Sequence, residues 1–101
     1  MAKYNVEVAE NALLLLEKHL KFLANVSVNA SRKINRDIFA KIDTLEDNPF
    51  QYPVWQTDFE LLREYRRIVV NKRFLIVYFV DGNQVFVDYI FDASMDNSKL
   101  L

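Results

Sequence analysis

The 101-residue sequence contains no cysteine, one glycine, one histidine and two prolines. Without cysteine there is no disulfide framework, no thiolate zinc site, no thiol nucleophile and no dithiol redox pair. A single glycine rules out a glycine-rich phosphate loop. The one histidine, His19, has no second histidine or acid at ligand spacing, and its place between Lys18 and Leu20 reads as a solvated position on the polar side of a helix rather than a catalytic base. Asp92 and Asp96 fall one turn apart near the end of the chain and read as solvated carboxylates. The sequence therefore implies neither a metal nor a cofactor.

Long hydrophobic runs are missing too. Leu13 to Leu16 is the longest aliphatic run of the first half, and Lys18, His19 and Lys21 interrupt it well short of the roughly 20 residues a membrane span needs. The opening Met-Ala-Lys-Tyr-Asn-Val lacks the basic, apolar and small-residue order of a signal peptide. The expected location is the cytoplasm. A net charge of -1 and a pI near 5.8 give no overall field to attract nucleic acid, so any such contact has to come from a local patch.

What is present is apolar and aromatic. Hydrophobic residues make up 51% of the chain, with eight phenylalanines and five tyrosines, ample for the core of one domain over residues 1–101. Tyr4, Val6 and Val8 alternate with Asn5 and Glu7, which predicts a short strand. Leucines at 13, 16, 20 and 23, widened by Ala12, Leu15 and Phe22, predict a helix from Glu10 to about Ala24 with a broad buried side. After the loop Asn25-Val26-Ser27, with Ser27 as cap, Ala30, Ile34, Ile38, Ile42 and Leu45 line a second helix that ends at Asp47-Asn48-Pro49. So short a connection folds the two helices into an antiparallel hairpin.

Phe50 to Phe59, with Pro53 and Trp55, reads as an ordered aromatic loop packed on the domain. Three strands are then predicted at Leu61 to Val70, Phe74 to Val80 and Gln84 to Phe91, joined at Val70-Asn71-Lys72-Arg73 and Asp81-Gly82-Asn83 as an antiparallel meander. The tail from Asp92 to Leu101 reads as a short helix or a loose end. The fold class is α+β. The middle strand is apolar on both faces, Phe74, Ile76, Tyr78 and Val80 on one and Leu75, Val77 and Phe79 on the other. One helix layer covers one face, so Leu75, Val77 and Phe79 are expected to meet a partner, a dimer mate or the tail.

The residues with chemical potential are Arg63, Arg66, Arg67, Lys72 and Arg73. Alternation places Arg63, Tyr65 and Arg67 on one side and Arg66 on the other. Two readings stand side by side: surface pairs with Glu60, Glu64, Asp88 and Asp92, each contributing under about 1 kcal/mol, or rigid guanidinium forks that grip a phosphate or a partner's carboxylate.

Tyr4-Asn5-Val6-Glu7-Val8, Phe22-Leu23-Ala24, Leu45-Glu46-Asp47-Asn48-Pro49, Tyr65-Arg66-Arg67-Ile68-Val69-Val70 and Arg73-Phe74-Leu75-Ile76-Val77-Tyr78-Phe79-Val80 occur in an order and at separations that resemble the RelE/ParE superfamily of bacterial type II toxins. The resemblance implies the RelE-like α+β fold, a cognate antitoxin as partner and a role in plasmid stabilisation. It also implies one of two targets: DNA gyrase, inhibited without a reaction of the toxin's own, or the ribosome, where basic residues hold the scissile phosphate of the mRNA. Arg66, Arg67 and Arg73 are the candidates for that second task. The chain departs from the endonuclease pattern where Phe91-Asp92-Ala93-Ser94-Met95-Asp96 lacks the expected arginine and Leu75-Ile76-Val77 lacks a basic residue. Those departures favour gyrase inhibition, or a binding module without toxicity, over mRNA cleavage.

Overall fold

The computed structural model describes residues 3–56 and 63–93. Strand β1 (Asn5–Val8) leads into helix α1 (Glu10–Ala24) and helix α2 (Val28–Asp43), which tightens into a 3₁₀ turn at Thr44–Glu46; strands β2 (Arg66–Val70), β3 (Phe74–Asp81) and β4 (Gln84–Asp92) follow. The strand, helical hairpin and meander expected from the sequence are all present. The strands form one four-stranded sheet in the order β1-β4-β3-β2. β2, β3 and β4 are antiparallel neighbours, while β1 runs parallel to β4 with Asn5 opposite Gln84 and Val8 opposite Val87.

The turn between the helices forms for the reason the sequence suggests. The Ser27 hydroxyl accepts from the Ala30 amide at 3.1 Å, filling one of the open donors at the start of α2, and the Ser31 hydroxyl donates to the Leu20 carbonyl at 2.9 Å. Helix α2 buries Ile34, Ile38, Ile42 and, through the 3₁₀ turn, Leu45. Facing them across the core are Ile68, Val70, Phe74, Ile76, Tyr78, Val85, Val87 and Ile90.

Helix α1 is narrower in its buried face than its leucine content implies. Ala12, Leu16 and Leu23 are buried, but Leu13 and Leu15 are exposed and Phe22 is 70% exposed. A helix on the edge of a two-layer fold touches the sheet along one stripe and its partner helix along another, and these residues fall outside both.

The meander differs from expectation at its start. Its first strand begins at Arg66, not at Leu61; Arg63 to Tyr65 precede it outside the ladder, and Leu61 and Leu62 lie beyond the described residues. The aromatic loop docks at this point. Trp55 donates its amide to the Tyr65 carbonyl at 2.7 Å and Arg67 donates to the Pro53 carbonyl at 3.1 Å, with Val54 bridging Arg66. The start of β2's outer edge is thereby paired, which shortens the free edge that would invite aberrant pairing.

A second departure lies in β4. The β3–β4 register shifts between Val77 and Tyr78, whose partners are Tyr89 and Val87, so that Asp88 is the additional residue of a bulge. One extra residue reverses the alternation beyond it. Val85 and Val87 face the helices before the bulge and Ile90 does so after it, leaving Tyr89 exposed on the opposite face.

Both hairpin turns use left-handed backbone. Gly82 has φ 60, and Asn71 and Lys72 have φ 54 and 58. In the three-residue connection Asn71-Lys72-Arg73 the two residues of positive φ suit Asn-Gly, and a lysine in that conformation is strained by about 1 kcal/mol. Lys72→Gly is therefore expected to stabilise the chain by about 0.5 to 1 kcal/mol, after allowing for the greater freedom of glycine in the unfolded state, read as a higher urea midpoint with unchanged slope.

Candidate functional site

The arginines do not form one surface. β2 alternates, so Arg66 shares the side of Ile68 and Val70 that looks toward the helices, while Arg67 lies opposite Val77 on the outer face. Arg66 reaches back into the aromatic loop. One terminal nitrogen donates to the Tyr52 carbonyl at 2.7 Å and, more loosely, to the Phe50 carbonyl at 3.4 Å; the other stands 3.5 Å from Glu64 Oε1. Its guanidinium lies 5.2 Å from the centre of the Phe50 ring. The side chain is only 18% exposed.

Arg73 is held at the opposite end of the hairpin. Its Nε donates to Asp92 Oδ2 at 3.1 Å and a terminal nitrogen sits 3.0 Å from the same oxygen, while the Ala93 amide donates to the Arg73 carbonyl at 2.7 Å. Arg63 lies over the Phe79 ring at 4.4 Å. Lys72 is exposed in its turn. Of the acidic partners expected for the cluster, Glu64 and Asp92 take that role, Asp88 bonds instead to Tyr65, and Glu60 lies outside the described residues.

The outer sheet face carries an aromatic layer in place of a bare apolar one. Trp55 packs with Phe91, Tyr65 packs edge-on against Phe79 and beside Tyr89, and Phe79 stacks on Phe86 with ring centres 5.0 Å apart. Leu75 and Val77 are fully buried and Phe79 is 9% exposed, with Trp55, Tyr65, Val69, Phe91 and Ala93 packed around them. Of the covers expected for this face, a partner, a dimer mate or the tail, the described residues show the chain's own side chains over Leu75 and Val77, with Ala93 at the start of the tail among them. Among the described residues the large exposed apolar side chains are Leu13, Leu14, Leu15, Phe22, Val26 and Val28 on the helical hairpin, Phe50 and Val54 in the aromatic loop, and Tyr89 on the outer face itself.

Sequence reasoning missed the Tyr65–Asp88 pair. The phenol donates to Asp88 Oδ2 at 2.7 Å, and its pKa is pushed up to about 12 by burial first, then by the hydrogen bond to Asp88 and that carboxylate's charge. The bulge that aims Asp88 was signalled by the break in apolar parity at Val85, Val87 and Ile90. Tyr78 is a second tyrosine with a structural hydroxyl: fully buried, it donates to the Pro49 carbonyl at 2.6 Å, and burial raises its pKa above the ordinary value. A raised folded-state value means that these phenols contribute stability in full below pH 10, which is lost as pH climbs through the folded value. Tyr65→Phe is expected to reduce the slope of urea midpoint against pH between about 10 and 12; Tyr78 acts in the same direction and sustains the remaining slope.

His19 is half-buried rather than solvated, with its ring edge-on to Phe74 at 6.1 Å. Among the described residues no group of three acids or histidines is placed to hold a metal ion, and no helix is long and apolar enough to cross a membrane. Asp92 is paired with Arg73, and Asp96 lies outside the described residues.

A two-helix hairpin packed on one face of a mixed, mostly antiparallel sheet, with a basic strand after an aromatic loop, is the RelE-like α+β fold. The family model described as ParE toxin of type II toxin-antitoxin system, parDE, matches residues 6–97. The chain belongs to that family and is the toxin of a type II toxin-antitoxin pair, which implies an antitoxin as its partner. No curated protein matches it.

Proposed function

We propose that residues 1–101 act as one cytoplasmic toxin domain that inhibits DNA gyrase by binding it, without catalysing a reaction, and that the cognate antitoxin relieves the inhibition. The observation that carries this reading is the engagement of the two best-placed arginines within the chain. Arg66 is tied to the Tyr52 carbonyl and Arg73 to Asp92. An endonuclease built on them would work with guanidinium groups already partly committed within the chain, one terminal nitrogen of Arg66 to a carbonyl and two nitrogens of Arg73 to a carboxylate. The family match supports the same branch.

The experiment is a pair of assays on the purified chain: supercoiling of relaxed plasmid by gyrase, and integrity of a message on translating ribosomes. Loss of supercoiling with intact message is expected. Cleaved message with unimpaired supercoiling would replace this reading by a ribosome-dependent endonuclease, and no effect in either assay would leave a non-toxic binding module.

A further inference from the structure

Between the two arginines that open the basic segment lies a cavity of about 180 Å³, lined by Phe50, Arg63, Glu64, Arg66, Phe79 and Val80. Two of its walls are aromatic rings, and each carries a guanidinium: Arg63 over Phe79 at 4.4 Å and Arg66 over Phe50 at 5.2 Å. Arg66 is immobilised by the Tyr52 carbonyl on one terminal nitrogen. Its other terminal nitrogen faces Glu64 Oε1 at 3.5 Å, the outer limit of a hydrogen bond, and the Glu64 side chain is 68% exposed. Among the described residues no carboxylate forms an ion pair with Arg63. Among the described residues the pocket thus presents two positive charges, Arg66 held in place and Arg63 laid over Phe79, to one weakly held negative charge.

We propose that this pocket receives the carboxylate of an acidic side chain from the antitoxin, and that Glu64 is the internal anion displaced when it enters. The proposal rests on the toxin-antitoxin assignment and names the chemistry of that contact. A guanidinium held over a ring offers planar donors suited to a carboxylate. Phe50, Phe79 and Val80 supply an apolar half for the short hydrocarbon stem of a glutamate or aspartate. A phosphate has no hydrocarbon stem to fill that apolar half and would set more charged oxygen against the rings than a carboxylate does.

Two measurements test it. In the first, the isolated chain is titrated with acetyl-glutamyl-leucine amide, its glutaminyl counterpart and inorganic phosphate, following the side-chain N–H signals of Arg63 and Arg66 by NMR. The glutamyl probe is expected to shift both signals and to bind about tenfold more tightly than the glutaminyl one, the size of effect that follows from losing a charge-assisted hydrogen bond. Arg63→Gln should weaken it by about tenfold, whereas Glu64→Gln should tighten it by removing the competitor. Circular dichroism confirms that both variants fold. Equal binding of the two peptides, an equal response to phosphate, or weaker binding by Glu64→Gln overturns the proposal.

In the second, the cognate antitoxin, sought in the reading frames adjacent to this one, is bound to wild type and to Arg63→Gln. A weaker complex with the variant is expected. Equal affinity removes the pocket from the interface while leaving the antitoxin in place, and no binding even to wild type removes the assigned partner as well as the pocket.

Discussion

Ile38→Ala is expected to destabilise the chain by about 2 to 5 kcal/mol, the range for deleting a fully buried aliphatic side chain and leaving a partly collapsed cavity. Ile38 is 0% exposed and sits in the continuous core made by α1, α2 and the sheet. Total stabilities are about 5 to 15 kcal/mol, so this one substitution removes a large share and should lower the melting temperature by about 10 to 20 °C. Phe22→Ala is the internal contrast. Phe22 loses more carbon but is 70% exposed, and its removal should stay within about 0.5 kcal/mol. Urea denaturation of the two variants beside wild type checks both. A large loss at Phe22 with little at Ile38 would mean that the helical hairpin is packed the other way round.

That contrast shows what periodicity reports. Ala30, Ile34, Ile38, Ile42 and Leu45 recur at helical spacing with polar residues between them, and the structure buries that row almost as written. Helix α1 has apolar residues around most of its circumference, so its pattern marks a helix without marking which side is inward. The leucine run from Leu13 to Leu16 cannot be resolved by spacing, and only the positions of β4 and α2 decide that Ala12 and Leu16 are inside. The sheet obeys the same rule. Strand β3 is apolar on both faces and leaves its cover undetermined; the cover comes from Trp55, Tyr65 and Phe91, whose docking depends on backbone pairing with Pro53 and Trp55 that carries no sequence signature.

The basic segment was legible as a cluster and not as a site. Alternation correctly separated Arg66 from Arg67, because side-chain direction in a strand follows from parity alone. It did not reveal that Arg66 would meet carbonyls of a loop fourteen residues earlier, or that Arg73 would pair across the sheet with Asp92. These are long-range contacts between residues of unremarkable local context. The Asp88 bulge lies between the two cases: the skipped step from Val87 to Ile90 was visible, and its consequence, a carboxylate within reach of the Tyr65 hydroxyl, required the neighbouring loop.

Arg66→Ala is expected to destabilise the folded chain by about 2 kcal/mol, within the range for a hydrogen bond made by a charged group and for leaving its acceptor unpaired. The Tyr52 carbonyl is the main acceptor, at 2.7 Å; the Thr44–Tyr52 hydroxyl contact at 2.8 Å and the Tyr78 bond to Pro49 also hold this end of the loop, while its far end pairs with Tyr65 and Arg67 through Trp55 and Pro53. Loss of the guanidinium should therefore loosen residues 50–52 first, visible as faster amide exchange there than in β3. Arg66→Lys tests geometry against charge. Lysine restores the positive charge but replaces a planar fork with a single ammonium, and it should recover less than half of the lost stability. If alanine at this position abolishes toxicity, growth data alone would suggest a catalytic or target-binding arginine. The urea midpoint of the same variant separates the explanations: a lowered midpoint, with toxicity regained when a stabilising change outside the basic segment is added, identifies Arg66 as the latch of the aromatic loop, whereas an unchanged midpoint identifies it as a residue that touches the target.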